Sequence, residues 1–411
     1  MEESVKLMQK RVLIVSQYFY PESFRINELA FELAKKGYHV DVLTAIPNYP
    51  EGKFFKGYGI FKKRKETIEG VTIYRCFHFP RTKRPTGAKL SINYISFLIT
   101  ATFRILFQFA WKKKYDAIIG FQMSPVTQVV PGCMLGMIRG SKVLTWVQDI
   151  WPDSIIDSPT ETSRNLVLPI LSKVTEFVYK HSDKILISSP GMKELVCRNN
   201  DYSDKIEWVP NWCDDFLKDK VTPSALMPDG YNIVMGGSIN EGVGVDSLIK
   251  LINEFSEYKD VNFVFIGGGS KKSYLEEYVK ENKLSNTYLL GMFPYNQMPS
   301  FYAKADAMLL SLMKSELKYL DVTIPSRLQS YMSAGKPVFA MIGSGAERII
   351  NDAQCGFVVA PGDYQKLAEI IKKNYKNREL LTAYGKNARS FFVEFFTVQK
   401  GIEHFENLIC S

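Results

Sequence analysis

Short apolar runs alternate with helical patterns along the first half of the chain. The apolar runs read RVLIVSQYF, HVDVLTAIP, YDAIIGFQ and KVLTWVQD, and INELAFELAKKG between the first two has helical spacing. Strands that are apolar along nearly their whole length belong to parallel sheets with helices on both faces. The pattern therefore predicts an α/β domain built on a parallel sheet.

The same alternation begins again in the second half of the chain. It starts with YNIVMGGSINEGVGVDSLIKLINEF and continues through VNFVFIGGGS, TYLLGMF, ADAMLLSL, KPVFAMI and CGFVVAP. Between the halves, WVPNWCDDFLKDKVTPSALMPDG loses the period and collects Pro, Asp and Lys, so we expect a hinge near Pro210 to Pro228. Two Rossmann-like domains result. Because parallel sheets bind ligands at the carboxyl ends of their strands, chemistry is expected in a cleft between them.

Composition and charge narrow the choice of partners. The chain has 411 residues, of which 46% are hydrophobic and 23% charged, as in folded soluble proteins. Its formal net charge of +9 calls for an anionic partner: a nucleotide sugar, an anionic membrane surface or nucleic acid. Nucleic acid is disfavoured because no recognised binding motif accompanies the charge. Six scattered cysteines without neighbouring histidines predict reduced thiols of a cytosolic protein and no metal site.

One segment of the first half, Leu90 to Trp111, is long enough to cross a membrane. Its polar residues recur on one helical face: Asn93, Ser96, Thr100, Arg104 and Gln108. That face favours an amphipathic helix packed on the first sheet over a spanning helix. Basic runs flank the segment, and KFFKGYGIFKKRK at Lys53 to Lys65 mixes cations with aromatics and contains no acid. Most runs of charged residues simply form a solvent-exposed surface. Basic residues mixed with aromatic residues, however, suit anionic lipid headgroups, so we expect a peripheral membrane protein.

Two glycine-rich loops of the second half are candidates for phosphate binding. GGSINEGVG follows the first strand there and opens a helix, and it contains Gly237, Ser238 and Glu241. GGGS, which contains Gly268, closes the next strand. Backbone N–H groups and a helix N-terminus at such a loop bind phosphate. A glycine after a strand is often only a turn, but two such loops in successive units of one sheet favour a nucleotide site.

A third candidate phosphate site is the predicted helix start in TIPSRLQSYMSAG. Pro325 and Ser326 lie at this start, Thr323 is a candidate cap, and Gly335 lies past the end. These features alone would also suit a helix with only a structural role. Arg327 in the first turn, however, is unfavourable at the positive end of a helix unless an anion is bound there. We therefore interpret this helix start as an anion site.

Polar residues also follow three strands of the first half. They are Gln148, Asp149 and Asp153, then Glu22 and Arg25, then Asn48 and Tyr49. Aromatic packing and helix capping explain part of this pattern. Two carboxylates and an amide at one strand end exceed what packing requires, so Asp149 and Gln148 are candidate catalytic residues. The pairs after the first two strands are candidates for binding an acceptor, with Arg25 available for its phosphate.

Five sequence blocks carry a resemblance to a known family. SQYFYPESFRINELA, IPNYPEGKFFKGYG, WVQDIWPDS, VPNW and IPSRLQSYMSAGKPV resemble blocks of the retaining glycosyltransferases of family 4. They are most similar to a bacterial subgroup named for L-fucosamine transfer in capsule and O-antigen pathways. The resemblance spans nearly the whole chain.

The resemblance implies a GT-B fold, which is α/β with two facing Rossmann-like domains and an interdomain cleft. The acceptor domain would be residues 1–212, completed by a C-terminal helix at about 393–411, and the donor domain would be residues 213–392. The implied reaction moves a sugar from a nucleotide diphosphate, by expectation UDP, to a polyprenyl-diphosphate-linked glycan in bacterial surface polysaccharide biosynthesis. It retains the anomeric configuration and needs neither a metal nor another cofactor.

The chain departs from the wider family at charged positions. The family's two glutamates fall on Val322 and Ser330, its arginine and lysine on Ser238 and Val243, and its histidine on Gln148. The subgroup shares most of these vacancies, which implies a different set of residues for the same roles.

Other side chains are candidates for the vacant roles. Arg327 aligns with a subgroup lysine and would supply the phosphate cation, since a guanidinium grips diphosphate oxygens bidentately. Glu347, or Glu316 with Asp321, would supply the carboxylate for the ribose or the sugar, and Lys318 is a further candidate cation.

The implied mechanism has donor residues of the second domain hold the diphosphate: Gly237, Ser238, Gly268, Ser326 and Arg327. They would stabilise the charge on the leaving phosphate. The acceptor hydroxyl would attack from the same face, with the departing phosphate oxygen as base, so no protein nucleophile is needed. Two alternatives stay open: a catalytically silent nucleotide-sugar-binding subunit of a polysaccharide assembly, and a nucleotide-sugar 2-epimerase that acts on free donor.

Overall fold

The computed structural model describes residues 10–82, 87–155, 161–313 and 321–411. The chain forms two compact units. The first comprises residues 1–209 and 402–411, and the second comprises residues 210–401. The passage from one unit to the other at Val209 and Pro210 coincides with the start of the predicted hinge.

The first unit is built on a sheet of eight strands, in the order β3-β4-β2-β1-β5-β6-β7-β8. The strands are β1 Arg11–Val15, β2 His39–Ala45, β3 Lys65–Ile68, β4 Val71–Cys76, β5 Ala117–Gln122, β6 Lys142–Val147, β7 Lys184–Ile187 and β8 Ile206–Trp208. β3 is antiparallel to β4, and the remaining pairs of the described strands are parallel. Its helices are α1 Arg25–Lys35, α2 Gly87–Phe107, α3 Val130–Arg139, α4 Glu161–Lys180 and α5 Met192–Val196.

The second unit has a six-stranded sheet in the order β11-β10-β9-β12-β13-β14, and its described pairs are parallel. The strands are β9 Tyr231–Gly236, β10 Val261–Ile266, β11 Thr287–Gly291, β12 Ala307–Ser311, β13 Val338–Met341 and β14 Gly356–Val359. The helices are α6 Val245–Asn253, α7 Lys272–Glu281, α8 Met298–Ala303, α9 Ser326–Ser333, α10 Ser344–Ala353, α11 Tyr364–Asn374 and α12 Arg378–Phe391. The last helix, α13 Val398–Cys410, begins in the second unit and ends in the first.

The apolar runs of the sequence become the buried strands of both sheets. Every residue of β5, β10 and β12 is buried, because helices cover both faces of these central strands. The carboxyl ends of the parallel strands then present their loops along one edge of each sheet. The predicted fold class, two units each built on a mainly parallel α/β sheet, is confirmed.

The C-terminal segment returns to the first unit later than the predicted residue, about 393. Residues 393–401 belong to the second unit, where the Cys213 N–H donates to the Phe396 carbonyl at 2.9 Å. Gly401 lies against Trp212 so closely that a β-carbon there would be 2.1 Å from the ring. From Ile402 onwards the segment packs in the first unit, with the ring of Phe405 5.0 Å from that of Trp146. The backbone hydrogen bond at Phe396 thus holds this part of the segment in the second unit, so that the segment enters the first unit only at Ile402.

Helix α2 packs on the first sheet as predicted, and it buries Asn93 together with the apolar residues Phe97, Ala101 and Ile105. The Asn93 amide accepts from Gln17 Nε2 at 2.8 Å, and Arg104 donates to the Arg75 carbonyl at 2.7 Å. A row of large apolar residues is exposed on another face, and we call it the outer apolar row: Ile92, Ile95, Ile99, Phe103, Leu106 and Phe107. By length and composition alone, the segment Gly87–Trp111 could cross a membrane.

Candidate active site

The glycine-rich loops after β9 and β10 pack backbone against backbone. The Gly237 N–H donates to the Ile266 carbonyl at 2.8 Å. A β-carbon on Gly267 would lie 1.9 Å from the Gly237 carbonyl oxygen, and one on Gly269 would lie 2.3 Å from that of Ile239. Only glycine tolerates these approaches. The structure therefore brings together the two loops that contain Gly237, Ser238 and Gly268, as the sequence predicted.

Arg327 lies over the first of these loops. Its Nη2 donates to the Ser238 carbonyl at 2.9 Å, and its guanidinium carbon is 3.5 Å from the position of a β-carbon on Gly237. Its Nη1 is buried and has no hydrogen-bond partner among the described residues. A buried guanidinium N–H without an acceptor is costly, because each such donor loses its hydrogen bonds to water. An anion bound at the loop would satisfy it.

The helix that carries Arg327 has Pro325, and not the predicted Thr323, at its N-cap position. α9 starts at Ser326, and Pro325 makes no side-chain capping hydrogen bond. Proline has no side-chain oxygen to accept the N–H groups of the first turn, which is why Pro325 makes no such bond. Ser326 is exposed at this end. The N-terminus of the helix and the adjacent guanidinium together favour an anion. Gly335 follows the helix with φ +63°, as predicted.

Tyr331, which sequence reasoning missed, ties α9 to the strand beneath it. Its hydroxyl accepts from the Gly236 N–H at 3.0 Å and lies 3.3 Å from the carbonyl oxygens of Gly236 and Leu309. The ring is fully buried. Tyr331 thereby fixes the register of α9 against the end of β9, and Arg327 lies one helical turn before it.

The vacant glutamate position and two candidate donor-binding acids have the following surroundings. The Ser330 hydroxyl is buried 3.4 Å from the Cys213 thiol. Glu241 is 72% exposed and forms an ion pair with Lys271 at 2.9 Å. Glu347 is exposed in the first turn of α10.

Three further candidates for the vacant charged positions are Asp321, Glu316 and Lys318. Asp321 lies near the loop before α10, with its carboxylate 3.4 Å from the position of a β-carbon on Gly343. Glu316 and Lys318 lie outside the described residues. Within the described part of the chain, no three His, Cys, Asp or Glu side chains come together as metal ligands.

In the first unit, Asp149 is held where β6 ends. Its Oδ2 accepts from both the N–H and the hydroxyl of Ser124, each at 2.9 Å, and Trp151 Nε1 donates to that hydroxyl at 3.2 Å. Burial raises the pKa of the Asp149 carboxyl, and the Ser124 hydrogen bonds oppose the shift. Gln148 precedes it, with its N–H bonded to the Gln122 carbonyl at 2.9 Å. A carboxylate oriented in this way at a strand end can bind a hydroxyl group of a substrate.

Glu22 joins the loops after β1 and β2, both of which contain predicted acceptor-binding residues. Its Oε1 accepts from the N–H groups of Asn48 at 2.7 Å and Tyr49 at 2.6 Å. The guanidinium of Arg81, which sequence reasoning missed, lies 5.2 Å from the centre of the Tyr49 ring. Arg25, the predicted phosphate ligand, pairs with Glu28 on α1 at 3.2 Å. Three of the four predicted acceptor residues are therefore in contact, and Arg25 pairs elsewhere.

A buried polar network supports the Asn48 loop from below. His78 Nε2 lies 2.7 Å from the Ile46 carbonyl, and its Nδ1 lies 2.6 Å from the Asn93 amide nitrogen. Burial lowers the pKa of His78. A neutral ring that donates through Nε2 and accepts at Nδ1 satisfies both contacts. Sequence offered no signal for this pairing, since Asn93 is on α2 and appeared as part of a helical polar face.

The buried Glu22 carboxyl makes stability depend on pH in a specific direction. Burial raises its pKa from 4.5 to about 7, so between these values the folded state holds a proton that the unfolded state releases. Stability should therefore fall as pH rises from 4.5 to 7, by on the order of 3 kcal/mol. Glu22→Gln keeps an oxygen acceptor but cannot titrate, so it should gain stability relative to wild type across this range. Urea unfolding of both proteins at pH 5 and pH 8 measures the difference. If the free energy of unfolding changes equally between pH 5 and pH 8 in the two proteins, the raised pKa of Glu22 is contradicted.

Comparisons with known proteins agree with this architecture. The family model described as "Glycosyl transferases group 1" matches residues 221–391. WcaI of Escherichia coli K12, named for a glycosyl transferase of colanic acid biosynthesis, is 23% identical over 343 residues, covering 79% of this chain and 81% of WcaI.

Solved structures share the fold over nearly the whole chain. Sucrose-phosphate synthase of Thermosynechococcus elongatus has a TM-score of 0.68 at 17% identity, covering 97% of this chain and 98% of that protein. Anabaena HepE, solved in complex with UDP, has a TM-score of 0.64 at 16% identity, covering 98% of this chain and 100% of HepE.

Proposed function

Because this chain is a glycosyltransferase whose second unit matches group 1, we propose that it transfers a sugar from a UDP-linked donor to a polyprenyl-diphosphate-linked glycan. The reaction would retain the anomeric configuration and contribute to a bacterial surface polysaccharide. The name of WcaI supports the polysaccharide pathway, and the UDP complex of HepE supports the nucleotide. The resemblance to the L-fucosamine subgroup supports a polyprenyl-linked acceptor.

One observation carries the donor assignment: the buried Arg327 Nη1, which has no hydrogen-bond partner among the described residues, lies beside a helix start with proline at its N-cap and a glycine loop. A diphosphate offers oxygens to the guanidinium, to the loop N–H groups and to the first turn of α9 at once. Ser326 and Ser238 would bind phosphate oxygens beside it. Gly268 would offer its backbone to the nucleotide, beside Met292, whose Sδ is 2.7 Å from the position of a β-carbon on Gly268.

The transfer itself breaks the bond between the sugar's anomeric carbon and the phosphate oxygen and forms a bond to the acceptor oxygen. The acceptor's proton passes to the departing phosphate oxygen, so no protein nucleophile is consumed. Arg327 would stabilise the negative charge that develops on the diphosphate. Asp149 would accept a hydrogen bond from a substrate hydroxyl and so orient it.

In this proposal the acceptor binds the first unit beside Glu22, Asn48 and Tyr49, with Gln148 next to Asp149. The lipid-linked acceptor also implies a peripheral location on the inner face of the cell membrane. The exposed lysines at Lys53, Lys56 and Lys62 and the 96% exposed ring of Phe61 support that location.

A donor panel tests the proposed reaction. UDP- and GDP-sugars are incubated with a polyprenyl-diphosphate-linked glycan, and mass spectrometry detects the extended acceptor. A product with one UDP-sugar supports the proposal, and product from a GDP-sugar alone would contradict the UDP assignment. No metal requirement is expected, so turnover in a chelator should equal turnover without one.

A catalytically silent subunit is the second candidate, favoured by Ser330 at a family glutamate position and by its burial against Cys213. This candidate predicts tight UDP-sugar binding with neither transfer nor hydrolysis across the panel. A 2-epimerase would instead convert free UDP-sugar to its epimer without any acceptor. The epimer has the same mass, so chromatography of the nucleotide sugars is needed to detect it.

The basic segment Lys53 to Lys65 gives a separate prediction. Lys53, Lys56 and Lys62 are exposed, and each lysine near an anionic surface contributes about 1 kcal/mol of attraction. Replacing the three with Glu should weaken binding to anionic vesicles by about 100-fold at low salt. Vesicle co-flotation measures the change.

The matched control replaces three exposed lysines of the second unit, Lys259, Lys280 and Lys386, with Glu. It changes the net charge equally, so it should bind vesicles nearly as wild type does. If both triple variants lose binding to the same extent, net charge alone explains the affinity.

A further inference from the structure

Helix α2 buries an apolar face and also exposes large apolar residues on another face, whereas the exposed face of an ordinary surface helix is polar. The outer apolar row is spaced by three or four residues along the helix, from Ile92 to Phe107, and Phe107 is 74% exposed. Trp111, four residues beyond, is 82% exposed. Contiguous exposed apolar surface of this kind marks an interaction site, because it is costly to leave in water.

The inward face of α2 is fully used, so the helix cannot turn its outer row inward. Phe97, Ala101 and Ile105 belong to the core of the first unit. Thr100 Oγ1 donates to the Phe77 carbonyl at 2.5 Å, and Arg104 binds the Arg75 carbonyl. A helix that crossed a bilayer would have to leave these contacts. The helix therefore stays on the sheet while its outer row meets the partner.

The charge around the row identifies the kind of partner. Lys89, in the first turn of α2, is exposed at one end of the row. Lys113 and Lys114 are exposed just after α2, and Arg139 of α3 donates to the Lys112 carbonyl at 3.3 Å. The basic segment also reaches the helix, because Arg64 donates to the same Arg75 carbonyl as Arg104.

We infer that the outer apolar row of α2 inserts, parallel to the surface, into an anionic lipid bilayer. An apolar centre with a basic rim matches the acyl and headgroup layers of such a membrane. A second copy of this chain is a poorer fit, since a two-fold interface would bring two basic rims together. The inference rests on the proposed function, which puts the acceptor in a membrane.

The test uses the full chain and vesicles of phosphatidylcholine with about a third phosphatidylglycerol. Ile95→Ser, Ile99→Ser and Phe103→Ser are combined, and the expected partition coefficient falls by about 100-fold. Unlike loss from the lysine variants, this loss should persist in vesicles at high salt. The control combines Leu226→Ser and Val393→Ser, exposed apolar residues of the second unit, and should bind as wild type does.

Trp111 reports the geometry of insertion. Trp146, Trp151 and Trp212 are buried and Trp208 is half-buried, so a blue shift of emission on vesicle binding should vanish in Trp111→Phe. A tryptophan placed midway along α2, by Ile99→Trp in the Trp111→Phe background, should be quenched more by lipids brominated near the headgroup than by lipids brominated near the chain end. Stronger quenching from the chain end would mean a spanning helix and would overturn the inference.

Two other outcomes also overturn it. The triple serine variant binding vesicles as wild type does would exclude the row from the contact, provided that its thermal unfolding is unchanged. A wild-type dimer in solution that the triple variant dissociates would assign the row to a second copy. Turnover on a short-chain, detergent-free acceptor is measured in parallel. The proposed function predicts that the triple variant keeps this turnover, so loss of transfer and loss of membrane binding are separate results.

Discussion

Arg327→Ala should weaken UDP binding by about 100-fold, the largest effect expected of any single change in the second unit. Its guanidinium has one N–H group on the Ser238 carbonyl and a buried one without a partner, and charge-assisted bonds to diphosphate contribute about 1.5–3 kcal/mol each. Calorimetric titration with UDP and with the active UDP-sugar measures the loss.

Arg327→Lys separates charge from geometry. Lysine keeps the charge but lacks the planar fork, so about a tenfold loss is expected instead. Arg378→Ala removes an exposed arginine from the second unit and is the matched control, with unchanged UDP affinity expected. Wild-type affinity in Arg327→Ala would refute the phosphate assignment and with it the interpretation of the α9 helix start.

Local sequence patterns predict the fold of this chain well because strand burial and helix ends are local. Apolar runs identify the central parallel strands, and Pro210 begins the break between the units. Which face of α2 is buried cannot be predicted in the same way. A periodic pattern shows that Asn93 and Ile95 lie on different faces, but the inward face depends on partners distant in the sequence, such as Gln17 and the Phe79 carbonyl. Nothing near α2 in the chain specifies them.

The candidate sites show the same limit. The carboxyl ends of adjacent parallel strands meet at one sheet edge, which is why the contact of Glu22 with Asn48 and Tyr49 follows from sequence. Ser124 follows β5 by the same rule and went unnoticed because a single serine after a strand carries little signal.

The rule for strand ends does not predict contacts between other residues that are far apart in the sequence. Tyr331 bonds to Gly236, and Ser330 contacts Cys213. Both depend on how α9 sits against strand β9 and the segment before it, and neither pair has a local motif. The fate of the vacant glutamate position was therefore visible only in the folded chain.

Asp149→Asn should lower kcat by about 100-fold and leave the donor dissociation constant unchanged. Asparagine keeps an oxygen for the two Ser124 hydrogen bonds, so the loop should hold its shape. It removes the negative charge that would orient a substrate hydroxyl, and poor orientation costs rate rather than affinity. Steady-state kinetics and calorimetry on the same preparation measure the two quantities.

The pH profile distinguishes this role from a structural one. Burial raises the pKa of Asp149, so wild-type turnover should fall on the acid side at a higher pH than an ordinary aspartate would give. Asp149→Asn should lose that acid limb along with the rate. Asp153→Asn makes the same change at an aspartate that pairs with Arg198, and it should keep both the rate and the limb. Full turnover in Asp149→Asn would mean that the carboxylate only packs the loop. Gln148 and Glu22 would then be the candidates for orienting the substrate hydroxyl.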